Sequence, residues 1–502
     1  MFPFKTSIQF DRKSNQALYL QLSNQIIQLI KNQTLVSNTK LPGSRSLAEQ
    51  LTVHRKTVVA CYEELLLQGW VETVPKKGTF VHHNLPALHQ RKSNDFIDFD
   101  LRENSGFSFY RNSVIREKPR KRKDGFIYVD DGFSDPRLTP IVEIARTYRR
   151  LSIRQKIFEH LSYNSTFGNN TIREVLVDYL NSTRGIRFNN ENVLVTRGSQ
   201  MGIWLSSQLL LQKDDIIIVG KTNYEAADST FMNQKAQLVR VSVDANGIVT
   251  DEIENICKQQ QIKAVYVTSH HHHPTTVTLS AKRRIHLLNL ARQYNFAIIE
   301  DDYDYDFNYN HAPILPLASH DTSGNVIYIG SVCKAVAPVF RIGYLIASKQ
   351  FIDEAAKLRG IVDRQGDALL ELTFADFIKS GDLDRHIRKV LKIYKQRRDL
   401  FCNLLKKELG DVFHFETPKG GLAVWVRLAV NYSWSSISEV ARKHKLEIGD
   451  WQRYDVSKSR HNSIRIGFAA HNENEIHELI SRFKKIIDEV KNCSSNSIES
   501  KI

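Results

Sequence analysis

Between residue 126 and about residue 490, six apolar runs recur: ENVLVT, DIIIVG, KAVYVTS, FAIIEDD, NVIYIGS and RIGYLIAS. Helical stretches separate several of them, such as AKRRIHLLNLARQY between the third and the fourth. This alternation constrains the chain more than any other feature. Short continuous apolar runs read as strands buried on both faces, and intervening amphipathic helices let them run parallel. The expectation is an α/β body with a mostly parallel sheet and helices on both faces. In such sheets ligands bind beyond the carboxyl ends of the strands, so the residues after each run carry the functional information.

The body does not account for the whole chain. At roughly 100–200 residues per domain, 502 residues suggest about two to four units. Residues 1–83 hold short helical patterns closed by a Gly-containing hairpin. Residues 84–125 are charged, weakly periodic and read as a linker ending in REKPRKRKDG; residues 491–502 read as a frayed tail. The formal charge is +15, of which residues 1–83 carry +5 and residues 84–125 carry +4. A basic amino-terminal quarter favours a polyanion partner. With 41% hydrophobic and 25% charged residues, wholesale disorder and collagen are excluded. No run reaches the ~18 apolar residues of a membrane span, and MFPFKTSIQFDRKSNQ has no apolar signal-peptide core. Five scattered cysteines without CxxC spacing argue against a disulfide framework and against a zinc site. They suit a cytoplasmic protein.

In the amino-terminal module, Leu18–Ile30 repeats apolar residues at helical spacing. Leu41-Pro42-Gly43-Ser44 reads as a turn with Ser44 as N-cap, SRSLAEQL as a second helix, and Arg55 to Gln68 as a third, closed by Gly69. Leu47, Leu51, Val58, Tyr62, Leu65 and Leu66 read as core. WVETV and GTFVHH flank Pro75-Lys76-Lys77-Gly78, a hairpin with a basic tip. Three helices and a hairpin make a winged helix-turn-helix. Its third helix would enter the major groove of DNA with its amino-terminal side chains at the base edges.

The string LPGSRSLAEQLTVHRKTVVACYEELLLQGWVETVPKKGTFV resembles the DNA-binding domain of the GntR family of bacterial transcriptional regulators. That resemblance implies DNA contacts at Arg45, Arg55, Thr57 and Gly78; Lys56 joins them at the start of the third helix, and the basic tip Lys76, Lys77 and Gly78 would place the wing against the DNA backbone. His54 stands where the family usually has Ser, and Lys77 where it usually has Gly or Ser.

In the body, Asp301-Asp302-Tyr303 follows one run, and Ser331-Val332-Cys333-Lys334 ends another, with Arg341 seven residues on. Arg197-Gly198-Ser199-Gln200 precedes a helix. A lysine amine forms a Schiff base with a carbonyl. A carboxylate keeps a pyridine nitrogen protonated, and a Gly-Ser turn at a helix start with a nearby Arg holds a phosphate dianion. Those groups together suit pyridoxal 5′-phosphate (PLP). SxxK alone, or DDY alone, would carry little; their order and placement carry the reading.

Residues 126–490 resemble fold-type I aminotransferases, specifically the aminotransferase-like domain of MocR-type regulators, which implies a small C-terminal α+β subdomain after the main sheet. IIEDDYDYDFNY, IYIGSVCKAVAPVFRIGYL, FGNNTIREVLVDYLNSTRGI, VTRGSQMGIWLSSQLLL, GDLDRHIRKVLKIYKQRR and IRIGFA match in order. The resemblance implies Lys334 as the internal aldimine lysine, Asp301 at the pyridine nitrogen and Tyr303 at the ring oxygen. It implies Ser331, Arg341, Gly198, Ser199 and Gln200 around the phosphate, Tyr224 over the ring, and His271 near the cofactor oxygen. Arg465 aligns with the arginine that binds an α-carboxylate. It also implies a head-to-tail homodimer, operator DNA as partner, and an amine or amino acid effector, with control of vitamin B6 or amino acid and amine metabolism. Thr276 stands where the family usually has Gly, and the four histidines 270–273 are a departure whose role the sequence leaves open. Consecutive residues rarely converge on one ion, so no metal is assigned to them. Three readings remain: a PLP-dependent regulator, a working aminotransferase with a DNA-binding appendage, and a DNA-binding protein on a vestigial scaffold.

Overall fold

The computed structural model describes residues 2–85, 105, 107–111, 123–309, 314–332, 334–449, 451–454 and 461–499. Most of the charged segment at 84–125, including Arg116 to Arg122 of its basic run, lies outside the described residues, as does Cys333. The chain divides into two units, Met1–Arg111 and Asn112–Ile502.

The first unit runs α1 (Phe4–Ser7), α2 (Leu18–Lys31), α3 (Ser44–Leu51), α4 (Arg55–Leu67), β1 (Val71–Val74) and β2 (Gly78–Val81). On α2 the buried apolar residues Leu22, Ile26, Ile27 and Ile30 fall on one stripe. They meet Leu47 of α3 and Val58, Cys61 and Leu65 of α4 in one core. β1 and β2 pair antiparallel from Val71↔Val81 to Val74↔Gly78, and Lys40 bridges to Phe80 as a further edge. Two expectations are corrected. Ser44 is the first residue of α3 rather than its cap, because Gly43 holds the extended cap position. Leu66 is 47% exposed, because Val58, Cys61 and Leu65 already define the inward stripe and Leu66 lies about 100° round from it.

The second unit is built on a seven-stranded sheet: β4 (Val193–Thr196), β5 (Ile216–Gly220), β6 (Gln237–Val241), β9 (Ala264–Val267), β10 (Ala297–Asp302), β11 (Val326–Ser331) and β12 (Gly343–Ile346). The order is β4-β12-β11-β10-β9-β5-β6, and only β12 runs antiparallel to its neighbours. A two-stranded ribbon, β7 (Val243–Asp244) and β8 (Gly247–Ile248), follows β6. Strands β4, β9 and β12 are wholly buried, as their unbroken apolar runs require. The edge strand β6, QLVRV, has no such run, which is why the apolar pattern does not reveal it.

Helices α5 (Ile141–Ser152), α6 (Asn170–Arg184), α7 (Ser199–Leu210), α8 (Glu225–Asn233), α9 (Thr250–Gln259), α10 (Ala281–Tyr294), α11 (Lys349–Val362), α12 (Ala368–Lys379) and α13 (Asp382–Leu409) surround the sheet. The C-terminal part holds an antiparallel sheet, β13 (Phe413–His414), β14 (Ala423–Leu428) and β16 (Ser463–Gly467), with α14 (Trp434–Ala441) and α15 (Glu473–Glu499). Its strand β15 (Leu446–Ile448) pairs parallel with β3 (Ile127–Val129) from the start of the unit. The backbone of α15 continues as helix through Glu499, where the sequence suggests a frayed tail from 491. A helix anchored by buried Ile476, Leu479, Phe483, Ile486 and Val490 extends at little cost per added residue.

Candidate functional site

In the first unit, two of the expected contact residues, Arg45 and Arg55, share one surface. His54 caps α4, its ring accepting from the Lys56 N–H at 3.2 Å, so the unusual residue at this position still performs a capping role. Arg45, Arg55 and Lys56 are exposed. Arg45 and Arg55 line one shallow depression with Ala48, Glu49, Thr52 and Val53. The Arg55 Nε lies 3.4 Å from the Ser44 Oγ, and the Tyr62 hydroxyl donates to the Pro42 carbonyl at 2.7 Å. That second contact ties α4 to the turn ahead of α3. Lys76, Lys77 and Gly78 form the exposed wing tip, with Lys76 at φ +61° and Gly78 at φ +115°.

In the second unit, strands β4, β5, β9, β10 and β11 run in one direction and deliver their following loops to one end of the sheet. Asp301, near the end of β10, is 3% exposed. The Tyr266 hydroxyl on neighbouring β9 donates to its Oδ2 at 2.8 Å. Its Oδ1 is buried with no hydrogen-bond partner. Burial pushes the Asp301 carboxyl up to about 7, the Tyr266 hydrogen bond opposing this and the neighbouring Asp302 adding to it. An unpartnered carboxylate oxygen in such a place calls for a cationic hydrogen-bond donor.

The Lys334 Nζ donates to the Gly132 carbonyl at 3.1 Å and lies 4.6 Å from the centre of the Tyr303 ring. Burial depresses its pKa, and the Arg465 guanidinium adds to the depression against Asp304, Asp131 and Asp130. A lysine eased toward its neutral form is a better nucleophile. The Tyr303 hydroxyl donates to the His271 carbonyl at 2.9 Å and accepts from Arg465 at 3.4 Å.

The residues expected around an anion lie together at the start of α7. Gly198 sits at φ +78° immediately before α7, and a Cβ there would lie 3.0 Å from the Arg341 guanidinium carbon. Only glycine therefore lets Arg341 lie against the start of α7, where Ser199 and Gln200 offer amides without intrahelical acceptors. Arg341 is itself left-handed at φ +53° and donates to the Arg197 carbonyl at 2.7 Å. The Ser331 Oγ donates to the Ile342 carbonyl at 3.1 Å. The Gln200 side chain binds the Thr230 hydroxyl at 2.8 Å and keeps a buried Oε1 without partner. A dianion over the α7 amides and Arg341, an aldehyde at Lys334 and a ring nitrogen at Asp301 fit these donors.

The four histidines are all buried and point to different partners. His270 pairs with Asp302 at 3.1 Å, His271 with Asp304 at 2.9 Å, His272 with the Thr275 hydroxyl at 2.8 Å and His273 with Asp131 at 3.0 Å. Burial drives His272 down to about 3, with His273 and Arg465 adding to the depression. The structure does not bring the His271 ring to the aromatic residues of the site. It faces Asp304 and packs against Gly420, where a Cβ would come within 2.2 Å of its Nε2. His273 lies there instead, 5.1 Å from the Tyr224 ring and 6.2 Å from the Tyr303 ring. The loop turns sharply at Thr276, whose φ of +65° is the backbone state that glycine normally supplies.

Sequence reasoning missed Tyr266 and the turn Asp130-Asp131-Gly132. The signal for the turn was present: it follows the short apolar run FIYV just as Asp301 follows FAIIE. β3 carries it across to Arg465 on β16, which is 2% exposed. Gly132, at φ +87°, brings its backbone within reach of both Ala423 and Arg465.

Fold and site together define a two-part molecule, a winged-helix DNA-binding unit ahead of a fold-type I PLP-binding unit. Residues 136–483 match the family described as aminotransferase class I and II, and residues 18–81 match bacterial regulatory proteins of the gntR family. The chain belongs to the aminotransferase class I and II family and carries a gntR-family head, the pairing of a MocR-type transcriptional regulator. It is similar to the HTH-type transcriptional regulator NorG of Staphylococcus aureus (strain USA300), at 28% identity over 88% of this chain and 98% of that protein. An uncharacterized HTH-type transcriptional regulator, YdfD of Bacillus subtilis (strain 168), is 26% identical over 90% of this chain and 92% of its own. Among solved structures, the multiple substrate aminotransferase of Thermococcus profundus superposes with a TM-score of 0.69 at 26% identity, covering 73% of this chain and 92% of that one. The kynurenine aminotransferase of Pyrococcus horikoshii gives a TM-score of 0.68 at 27% identity, covering 72% and 91%. The cofactor of the body is PLP, and the chain is a PLP-dependent transcriptional regulator. Among the described residues, no helix is long and apolar enough to cross a membrane.

Proposed function

We propose that the body senses an amino compound through PLP held at Lys334 and that this sensing alters operator binding by the head. The observation that carries the reading is the buried, unpartnered Asp301 Oδ1 in the same site as a lysine whose pKa is depressed. Neither group is needed for packing, and a buried carboxylate without a cation costs stability. Bound PLP supplies an electrophilic aldehyde. Around it Asp301 keeps the ring nitrogen protonated, Tyr266 orients Asp301, and Tyr303 lies beside Lys334. Tyr224 and His273 border the ring, while His271 meets Tyr303 through its carbonyl and Asp304 through its side chain. Gly198, Ser199, Gln200, Ser331 and Arg341 hold the phosphate.

In the head, Arg45, Arg55, Lys56 and Thr57 read the operator while Lys76, Lys77 and Gly78 hold the wing against its backbone. Two such heads in a homodimer would read two half-sites. Ile141, Val142, Ile153, Phe158, Leu161 and Tyr163 stand more than half exposed between residues 141 and 163, an apolar surface of the kind a second copy covers. Regulation requires that the ligand bind two conformations with different affinity.

The test is the absorption spectrum of the purified protein with added PLP, before and after borohydride reduction, for wild type and Lys334→Ala. Wild type gains a visible band near ~420 nm that reduction fixes covalently; Lys334→Ala does not. An identical spectrum for both proteins overturns the site. Gel shift with and without an amine then tests coupling. Sustained turnover of an amino donor with no effect on DNA binding would favour the aminotransferase reading.

A further inference from the structure

Arg465 is the buried guanidinium next to Lys334, and each of its nitrogens is already engaged inside the protein. Its Nε donates to the Asp131 carbonyl at 3.1 Å, its Nη1 to the Pro274 carbonyl at 3.2 Å and its Nη2 to the Tyr303 hydroxyl at 3.4 Å. The Asp131 carboxylate lies 3.6 Å from the same Nε. Burial works against the Arg465 charge, but Tyr303, Asp131 and Asp304 outweigh it and raise its pKa.

Asp131 is not free to leave. The Tyr454 hydroxyl donates to its Oδ1 at 2.8 Å, and His273 holds its Oδ2 at 3.0 Å. The turn that presents it is locked as well. The Asp130 carboxylate accepts from the Gly132 and Phe133 amides at 2.7 and 2.9 Å, and the Gly467 amide donates to the Asp130 carbonyl at 2.8 Å. A carboxylate-bearing ligand would have to displace a clamped internal carboxylate, or sit against it with Arg465 already engaged. Like charges at contact distance in a desolvated site cost affinity steeply.

We propose that the amine side of this site selects primary amines that lack a carboxylate, with Asp131 standing in for a ligand carboxylate on Arg465. The inference rests on the PLP reading above and departs from the α-carboxylate role that resemblance gives Arg465. Binding proceeds by exchange at the aldehyde carbon. A bond forms from that carbon to the amine nitrogen, the bond to the Lys334 Nζ breaks, and one proton passes from the amine nitrogen to Nζ. No oxidant or reductant is consumed. A lysine with a depressed pKa leaves readily as the neutral amine.

The experiment titrates the full-length, PLP-loaded protein with butylamine, putrescine, L-alanine and γ-aminobutyrate, following the visible band. Borohydride trapping with mass spectrometry shows which amine is joined to the cofactor. Butylamine and putrescine act at concentrations at least ~10-fold below L-alanine and γ-aminobutyrate in wild type, a difference of one ~1.4 kcal/mol step. Asp131→Asn, with Asp131→Ser as its alternative should the first not fold, frees Arg465 and improves L-alanine by at least ~10-fold. L-alanine acting as well as butylamine on wild type overturns the inference while leaving the PLP reading intact. So does an Asp131→Asn protein with unchanged preference. No band with PLP alone overturns the PLP reading and this inference with it.

Discussion

In the amino-terminal unit Arg45, Arg55, Lys56, Lys76 and Lys77 stand exposed, and none makes an ion pair among the described residues. In the body, Asp301, Asp131, Arg465 and the histidines 270–273 are buried or nearly so, and each charged group except Asp301 is matched by another. On the proposed reading the head keeps its cations solvated and free for DNA phosphates, with counterion release driving binding. Its scaffold is stabilised by a separate apolar core, so function and stability occupy different residues. The body must hold reactive groups away from water, where an unmatched charge costs several kcal/mol. Its functional residues are therefore also structural ones. In the head a functional substitution is expected to leave folding intact; in the body it should change both.

The largest expected effect is Arg465→Ala. Removing one partner of a buried ion pair leaves the Asp131 carboxylate with only Tyr454 and His273 and should destabilise the body by about 3 kcal/mol. Urea unfolding measures it, and a change below about 1 kcal/mol would remove the distinction between the units.

Asp301→Asn should act with the opposite sign. The folded carboxyl titrates at about 7 against an ordinary 3.8, so the folded state keeps a proton that the unfolded chain has lost between those values. Stability therefore falls as pH rises through that window, and the full cost stands above pH 7. At ~1.4 kcal/mol per unit the variant should gain up to about 4 kcal/mol at pH 8 without PLP, while binding PLP more weakly. Melting curves at pH 5 and pH 8 check this, and equal gains at both would refute the cause. His272 carries the reverse dependence. Its pKa of about 3 means that stability is lost as pH falls below its ordinary 6.5.

Arg55→Ala should cost operator affinity about 1–3 kcal/mol and change folding stability by no more than about 0.5 kcal/mol. Gel shift and thermal melting of the same preparation measure the two effects; a large drop in melting temperature would break the comparison from the head's side. The smallest expected effect is Thr276→Gly. A β-branched residue at φ +65° is strained, so glycine there should stabilise the body by about 1 kcal/mol. A loss of stability would show that the Thr276 side chain makes up for its backbone.

Much of the site was legible because its residues follow strands whose apolar runs are unmistakable. Asp301, Ser331 and Lys334 are read off the ends of β10 and β11 in this way. Gly198 and Arg341 were legible as types, though not their contact: Arg341 lies against the start of α7 because the antiparallel β12 returns the chain between β11 and β4. The roles within the histidine run could not be read. Four consecutive identical side chains carry no pattern, and the structure sends each to a different partner between 2.8 and 3.1 Å away.

The sequence alone determined the two-part architecture, the winged helix, the α/β body and its PLP-type residue set. These rest on local periodicity, turn chemistry and motif order, all of which act over a few residues. Tertiary structure decided which carboxylate meets which cation. Asp131 and Arg465 are 334 positions apart and meet because β3 pairs with β15 and lays its turn beside β16. No local pattern encodes that meeting. It follows from burying both charges in one desolvated space, where each is tolerable only beside the other.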